Sequence, residues 1–233
     1  MGETNVRTVG WPIVSNAILG RILLGILIGI GAYVAIQRSN LLYHTDTMNA
    51  VVALAPHEHT RGDRAADVRV FLYSDIDCPY CHGFFLNSLP LLMQEFGSRV
   101  VLVYRHFPIV SLHPNAERES EIAECAYNQK GEEAFWSLID AMYRSIDESQ
   151  RVRLSDLPAI EENLGIDQKL LTQCIEFGHG LGWVQQGVID GALASVNKTP
   201  SVVVENVRTG ARVMVSGAAY ANTKAAIETI LNE

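Results

Sequence analysis

The sequence predicts an α/β fold in which a β-α-β unit and a β-β-α unit are separated by a helical insertion and preceded by an apolar segment. Three observations lead to this prediction. An apolar run of membrane-helix length lies near the N-terminus, a Cys-x-x-Cys motif follows one strand-like run, and a Thr-Pro pair precedes another. The composition is that of a folded protein, because 48% of the 233 residues are hydrophobic and 19% are charged.

Charge is unevenly distributed along the chain. The net charge is −8, whereas residues 1–42 contain three arginines and one glutamate, a charge of +2, which leaves −10 for the rest. A body this acidic lacks the clustered Lys and Arg side chains that bind phosphate, so no nucleic-acid partner is expected. All four cysteines lie in the acidic part.

The N-terminal apolar run predicts a membrane anchor. Residues 22–36 contain no charged side chain. Extended to residue 17, the run reaches about the length that crosses ~30 Å of hydrocarbon. We expect a short cytoplasmic N-terminus at 1–16, a single transmembrane helix at 17–37 in the inner membrane, and a periplasmic body. Between them we expect a tether at 38–66 that contains at most one short helix or strand. A cleaved signal peptide has the same layout and is the alternative, and it would also export the body.

The body, residues 67–233, begins with a β-α-β pattern. Val68–Ser74 is rich in β-branched and aromatic residues, which favours a strand. The motif follows, and His82–Phe96 then has apolar residues at helical spacing up to Gly97. Arg99–His106 begins with a buried-strand pattern. The Cys-x-x-Cys motif therefore stands at the first turn after a strand.

Helical periodicity then continues through a predicted insertion at about residues 112–196. Its helices are predicted at Pro114–Lys130, Glu132–Ser145, Ser155–Leu164, Asp167–Phe177 and Gly182–Val196. Two short strands, Val202–Glu205 and Arg212–Val215, form a predicted hairpin, and a helix over Ala218–Leu231 closes the chain.

The motif Cys78-Pro79-Tyr80-Cys81 is the strongest chemical signal. Positions three apart lie on one face of a helix, so the two sulfurs come within disulfide reach. Free N–H groups and the partial positive charge of a helix N-terminus stabilise a thiolate, which favours Cys78 as the exposed attacking sulfur and Cys81 as the shielded resolving one. Pro79 suits the first helical position because it sacrifices no hydrogen bond there.

Other uses of the motif stay open. Cys78 to His82 matches the pattern of haem c attachment, but the strand before the motif and the amphipathic helix after it favour a redox turn. His82 is expected to be an exposed residue of the first helical turn. A zinc site would need further paired Cys or His ligands. A permanent structural disulfide is disfavoured, because pairs at exposed helix starts exchange readily. We expect no metal and no organic cofactor.

Thr199-Pro200 is the second signal. A proline directly before an apolar run marks the start of a strand, because it cannot donate in a central ladder. A cis bond there would direct backbone groups of Thr199 toward the cysteines. Only about 5–6% of X-Pro bonds are cis in folded proteins, so the sequence alone favours trans.

Several segments resemble the DsbA-like thioredoxin-fold disulfide oxidoreductases. They are FLYSDIDCPYCHGF (71–84), VYRHFP (103–108), HPNAERES (113–120), AECA (123–126), LGID (164–167) and Thr199-Pro200. The resemblance covers about residues 65–232. It implies a thioredoxin fold with an inserted helical domain, and with the apolar segment it implies a membrane-anchored thiol:disulfide oxidoreductase.

Carried over residue by residue, the resemblance makes Cys78 the nucleophile, Cys81 the resolving thiol, and Thr199-Pro200 the cis-proline loop that holds the substrate chain. The middle residues Pro79 and Tyr80 tune the thiolate, and this tyrosine departs from the histidine of the best-known oxidases, so the redox potential is left open. Expected partners are cysteine-containing exported proteins and a membrane redox partner. The alternatives are a reductase or isomerase, and a non-catalytic binding module.

Two further pairs complete the candidate site. Asp75 and Asp77 flank the turn and are expected to cap it and be solvated, while Asp75 could alternatively shuttle protons for Cys81. The number of cysteines is even, which leaves Cys125 and Cys174 as a possible pair. The resembled family has members with a second disulfide in this region, so we expect a structural bridge between them. Two separate buried thiols are the alternative. The histidines outside the motif receive no role.

Overall fold

A computed structural model describes residues 24–36, 54–55, 57–147 and 151–233. The chain divides into two units, Met1–Thr47 and Met48–Glu233. Helix α1, residues 24–36, lies inside the predicted anchor, and its side chains are exposed. Of the helices in the described ranges, none combines the length and the apolar character needed to cross a membrane. The rest of the predicted anchor and N-terminus, and most of the predicted tether, lie outside the described residues.

The second unit is built on a five-stranded sheet in the order β1-β3-β2-β4-β5. Strands β2 and β3 are parallel, and the other neighbouring pairs are antiparallel. The strands are β1 His59–Arg61, β2 Val68–Ser74, β3 Val100–His106, β4 Ser201–Asn206 and β5 Arg212–Ser216. The parallel pair follows from the crossover that the predicted β-α-β unit requires.

Helices cover the sheet and form the insertion between β3 and β4. The crossover runs through α2 Pro79–Gly83, a π-helical turn Phe84–Ser88 and α3 Leu89–Phe96. The insertion contains α4 Ala116–Lys130, α5 Glu132–Arg144, α6 Leu157–Asn163, α7 Gln168–Glu176 and α8 Leu181–Leu193, and α9 is Tyr220–Leu231. Each predicted helix of the body is present, with ends shifted by a few residues. Asp167 caps α7 by accepting from two backbone N–H groups.

Strand β1 is a short element of the kind that the predicted tether allowed, but it belongs to the sheet of the body. It lies in the predicted tether and pairs with β3, with Thr60 opposite Val103. Its side chains form hydrogen bonds with charged residues of the body. His59 hydrogen-bonds Glu124 at 3.2 Å and Glu132 at 3.0 Å, and Glu58, just before the strand, hydrogen-bonds Arg105 at 3.0 Å. A three-residue polar strand has no hydrophobic alternation, so the sequence pattern could not say where in the tether a strand lies or that it pairs with β3.

Successive side chains of β2 point to opposite faces of the sheet, and both faces are buried. Val70 and Leu72 point into a large core, whereas Phe71 and Tyr73 point into a smaller one on the other face. Helix α8 approaches the end of β3 very closely. A Cβ on Gly187 would lie only 2.4 Å from the His106 carbonyl oxygen, so only glycine fits there.

Candidate functional site

The two cysteines of the motif lie where β2 gives way to α2. Cys78 is the N-cap residue, with extended backbone, and Pro79 opens the helix. The turn that positions the two cysteines is closed by hydrogen bonds among its own residues. The Asp75 carboxylate accepts from Asp77 N at 3.0 Å, and Cys78 N donates to the Asp75 carbonyl at 3.2 Å. The predicted placement at a helix N-terminus is confirmed.

The Cys78 thiol is poised to ionise. A hydrogen bond from the Cys81 side chain is the largest influence. Burial opposes it, the backbone N–H groups of Cys81 and Tyr80 reinforce it, and the pKa is lowered to about 6. Cys78 was expected to be exposed, but only 4% of its surface is accessible. The expectation was wrong because the sulfur lies against the Thr199 carbonyl, 3.8 Å away. Tyr80, in contrast, is 79% exposed beside it.

Cys81 is the shielded partner, as predicted. It is completely buried, and burial raises the pKa of its thiol well above the usual value, as does the neighbouring Cys78. Hydrogen bonds from the Ser74 hydroxyl and the Asp75 backbone act in the opposite direction. The pair therefore has one readily formed thiolate and one thiol that holds its proton, which is the asymmetry that thiol–disulfide exchange requires.

The Thr199-Pro200 bond is cis. The loop it forms faces the motif, since the Thr199 carbonyl accepts from the Cys78 thiol. The cis bond implied by the family resemblance is therefore confirmed, against the trans form that base rates favour. The strand after it, Ser201–Asn206, pairs with β2 and so fixes the loop beside the motif.

Both aspartates of the turn are buried rather than solvated, contrary to expectation. Asp75 accepts from Ile109 N and His113 Nδ1, each at 2.7 Å, so its carboxylate ties the turn to the segment after β3. Burial raises its pKa. The bond from Asp77 N closes the turn, but helix α2 has no side-chain cap, so the expected capping role is not seen. The proton-shuttle role of Asp75 stays a prediction.

Asp77 is tied to the insertion. Its carboxylate accepts from Arg151 Nη1 at 2.7 Å and from Val152 N at 3.0 Å. The same guanidinium donates to the Leu112 carbonyl at 2.9 Å. One arginine thus links the turn, the segment after β3 and the insertion. Its importance was not predicted, because Arg151 is 74 residues from Asp77 and no local motif marks it.

Other buried polar groups near the turn were also missed. His82, expected to be exposed, is buried, and its Nε2 hydrogen-bonds the Ile76 carbonyl. Glu119 of α4 is fully buried, and its carboxylate has no hydrogen-bond partner among the described residues. Burial, with Asp77 and Asp75 nearby, raises the Glu119 pKa to about 8. Helical periodicity could not reveal a buried glutamate.

A disulfide joins Cys125 of α4 to Cys174 of α7, with Cα atoms 5.9 Å apart. The expected structural bridge is confirmed, and it clips two helices of the insertion together. Cys78 and Cys81 are free thiols. Over the described ranges, no three His, Cys, Asp or Glu side chains are arranged to hold a metal ion.

Comparison with known families and structures identifies the family and the fold of this chain. A family profile described as thioredoxin matches residues 54–227. DsbA2 of Pseudomonas aeruginosa is 25% identical with a TM-score of 0.64, over 78% of this chain and 98% of that protein. Oxidised BdbD from Bacillus subtilis is 16% identical with a TM-score of 0.65, over 76% and 94% of the two chains, which shows the shared fold.

Sequence relatives include two Na(+)/H(+) antiporters. NhaA 3 of Salinispora tropica is 34% identical and NhaA 1 of Salinispora arenicola is 32% identical, each over 151 residues. Each match covers 65% of this chain and 22% of the antiporter. The chain therefore spans less than a quarter of the length of these relatives, and their name describes a much longer protein.

Proposed function

Because the chain belongs to the thioredoxin family, we propose that it is a DsbA-type protein thiol:disulfide oxidoreductase working through Cys78 and Cys81. The observation that carries the proposal is the environment of Cys78. Its thiol stands at a helix N-terminus, faces the carbonyl of a cis-proline loop and has a pKa lowered to about 6. Such a thiol is largely ionised at neutral pH and is a competent nucleophile and leaving group.

The exchange proceeds in two steps. A substrate thiolate attacks Cys78 of the oxidised pair, the Cys78–Cys81 bond breaks, and its electron pair leaves on Cys81. A second substrate cysteine then attacks the mixed disulfide at the substrate sulfur and releases Cys78 as a thiolate. Substrate dithiol is oxidised and enzyme disulfide is reduced. Run in reverse, the same steps reduce or reshuffle substrate disulfides.

The net direction depends on how strongly the Cys78 thiolate is stabilised. A pKa of about 6 lies between the ≈ 7 of thioredoxin and the ≈ 3.5 of DsbA. Net oxidation is the function we propose, with a reductase or isomerase as the alternative. The Cys78/Cys81 reduction potential against glutathione distinguishes them, since about −120 mV indicates an oxidase and about −270 mV a reductant.

We propose that the enzyme acts outside the cytoplasm, held at the inner membrane by residues 17–37. Two features support this location. Residues 22–36 form an uncharged apolar run with arginines on both sides. The Cys125–Cys174 disulfide belongs to a compartment that allows structural disulfides to persist. The substrates are then exported cysteine-containing proteins, and a membrane redox partner resets the dithiol.

Refolding of reduced RNase and reduction of insulin test the enzyme proposal. The wild-type protein should be active in at least one assay, and Cys78→Ser should be inactive in both. The Cys125→Ala/Cys174→Ala variant keeps the motif and controls for loss of cysteines as such. Equal activity of Cys78→Ser and wild type would leave the non-catalytic binding module as the better explanation.

The predicted proton shuttle is tested separately with Asp75→Asn. If Asp75 takes the proton of Cys81, this variant should resolve a mixed disulfide more slowly than wild type. Resolution at the wild-type rate would exclude the shuttle and leave Asp75 as the residue that ties the turn to His113 and Ile109.

A further inference from the structure

His113 lies in the segment between β3 and α4, where backbone hydrogen bonds hold it on both sides. Its N–H donates to the Ile109 carbonyl at 2.9 Å, and its own carbonyl accepts from Ala116 N, at the start of α4, at 3.1 Å. The residue is only 8% exposed. The position of its imidazole is therefore set by the fold.

That imidazole hydrogen-bonds the turn of the dithiol. Nδ1 of His113 lies 2.7 Å from Asp75 Oδ2, and the same oxygen accepts from Ile109 N at 2.7 Å. Asp75 Oδ1 accepts from Asp77 N at 3.0 Å. Because both oxygens accept backbone N–H groups, the ionised carboxylate suits this site, and His113 then donates through Nδ1. Among the described residues, no other side chain hydrogen-bonds this carboxylate.

The charge on Asp75 depends on these hydrogen bonds because its carboxylate is completely buried. Burial raises the pKa of this carboxyl. The hydrogen bond from His113 is the largest influence in the other direction, followed by the backbone N–H of Ile109. The imidazole therefore does more than any other group to keep Asp75 ionised.

The other titratable groups around this pair cannot take over that role. The carboxylate of Asp77 is already paired with Arg151, at 2.7 Å. The pKa of Glu119 on α4 is raised to about 8, so this carboxyl is neutral at pH 7. Burial lowers the pKa of His82 on α2, so its imidazole is also neutral there.

Asp75 transmits its state to the dithiol through the turn. Its carbonyl accepts from Cys78 N at 3.2 Å, while its carboxylate accepts from Asp77 N, the residue before that cysteine. Hydrogen bonds to an ionised carboxylate are roughly twice as strong as those to a neutral group. Protonation of Asp75 therefore weakens the turn that places Cys78 at the start of α2 and against the Thr199 carbonyl.

We propose that His113 is a positioning residue for thiol–disulfide exchange, which keeps the Asp75 carboxylate ionised and thereby keeps the turn that carries Cys78 closed. The inference rests on the proposed function. It does not depend on the predicted proton shuttle, because it requires only that the carboxylate accept hydrogen bonds. His113 acts through Asp75, since no hydrogen bond in the described structure joins it to either sulfur.

The test follows Asp75 and the dithiol separately. His113→Leu removes the donor, whereas His113→Asn keeps a side-chain N–H near the position of Nδ1. His59→Leu is the matched control, because it removes another buried imidazole that pairs with carboxylates, those of Glu124 and Glu132. In each oxidised protein the Asp75 carboxyl carbon is titrated by NMR, and the rate at which glutathione reduces the dithiol is measured over the same pH range.

Loss of a hydrogen bond to a charged group should lower the ratio of ionised to protonated Asp75 about tenfold at a given pH in His113→Leu. Relative to wild type, reduction should be about tenfold slower below the Asp75 pKa of both proteins and equally fast above both. A general loss of structure would slow reduction at every pH. His113→Asn and His59→Leu should keep the wild-type titration and rate. In an Asp75→Asn background, His113→Leu should have no pH-dependent effect, because the amide carries no charge.

An unchanged Asp75 titration in His113→Leu, or a slower rate that does not depend on pH, would overturn the inference, while wild-type activity on RNase or insulin would still support the proposed function. Absence of wild-type turnover would overturn the function itself. If His113→Leu does not fold, the wild-type protein decides, because the inference requires a slowly exchanging proton on His113 Nδ1. A proton on Nε2 alone would overturn it.

Discussion

The ionisation of Cys78 allows the most direct quantitative prediction. If its pKa is about 6, rather than the usual 9.0, the thiolate makes up about 90% of the reduced protein at pH 7, compared with about 1% for an ordinary thiol. Alkylation by iodoacetamide requires the thiolate. Its rate should therefore rise about tenfold from pH 5 to pH 7 and then level off.

The lowered pKa of Cys78 also makes the free energy of folding depend on pH. The folded pKa is below the unfolded one, so the reduced protein is stabilised above the unfolded pKa and loses this contribution as pH falls through 6. Linkage gives about 1.4 kcal/mol at pH 7 and close to zero at pH 5. Cys81, whose pKa is raised, stays protonated throughout this window. The oxidised protein has no titrating thiol here and should lack this pH dependence.

The assays are thiolate absorbance near 240 nm, alkylation rate, and urea unfolding of both redox forms from pH 5 to pH 8. Cys78→Ser should abolish the absorbance change. Cys81→Ala removes the largest influence on the Cys78 pKa and should raise that pKa. An alkylation rate that keeps rising to pH 9 in wild type would refute the reasoning, as would equal pH dependence of stability in the two redox forms.

Three further predictions concern the surroundings of the dithiol. Replacing Cys125 and Cys174 with alanine opens a bridge with a sequence separation of 49, and chain entropy predicts a loss of about 4 kcal/mol of unfolding free energy in urea titrations. Arg151→Met leaves the buried Asp77 carboxylate next to Cys78 without its cation. We expect it to raise the Cys78 pKa in absorbance titrations and to destabilise the fold by about 1–3 kcal/mol. Glu119→Gln removes a carboxyl that must hold its proton up to about pH 8, so the unfolding free energy at pH 7 should increase by up to about 3 kcal/mol.

Each of these predictions has a control. Arg153→Met removes an exposed ion pair to Asp156, with the atoms 3.5 Å apart, and should change stability little and leave the Cys78 titration unchanged. The disulfide variant should keep its redox activity, because the bridge touches neither Cys78 nor Cys81. The gain in unfolding free energy of Glu119→Gln over wild type should disappear below about pH 4.5. A stability gain that did not depend on pH would contradict the ionisation argument.

The order of elements could be predicted because each long element has a clear periodicity. The strand Val68–Ser74 and the helices around Ala116–Lys130 and Glu132–Arg144 illustrate this. The dithiol was also predictable, since Cys78 and Cys81 are close in sequence and their spacing of three places both sulfurs on one face of a helix. The cis form of Thr199-Pro200 was not accessible from the residues alone. It followed from family resemblance.

The remainder of the site could not be predicted because distant segments build it. Asp75, His113 and Arg151 lie in separate segments of the chain, and nothing in their local sequence marks them as parts of one site. Burial was misjudged for the same reason. His82 and Asp77 have the polarity of surface residues, and only the packing of the insertion against the turn places them inside.

Strand β1 decides where the catalytic domain begins. A shortened protein starting at residue 67, as the predicted tether boundary suggests, would lack this strand. The backbone of β3 around Val103 would then become an open edge, where a second copy could pair and start aggregation. Removal of His59 and Glu58 would also leave Glu124 and Arg105 without those charged partners in a buried setting. A well-behaved truncation therefore has to start before His57, inside the segment whose sequence resembles a linker.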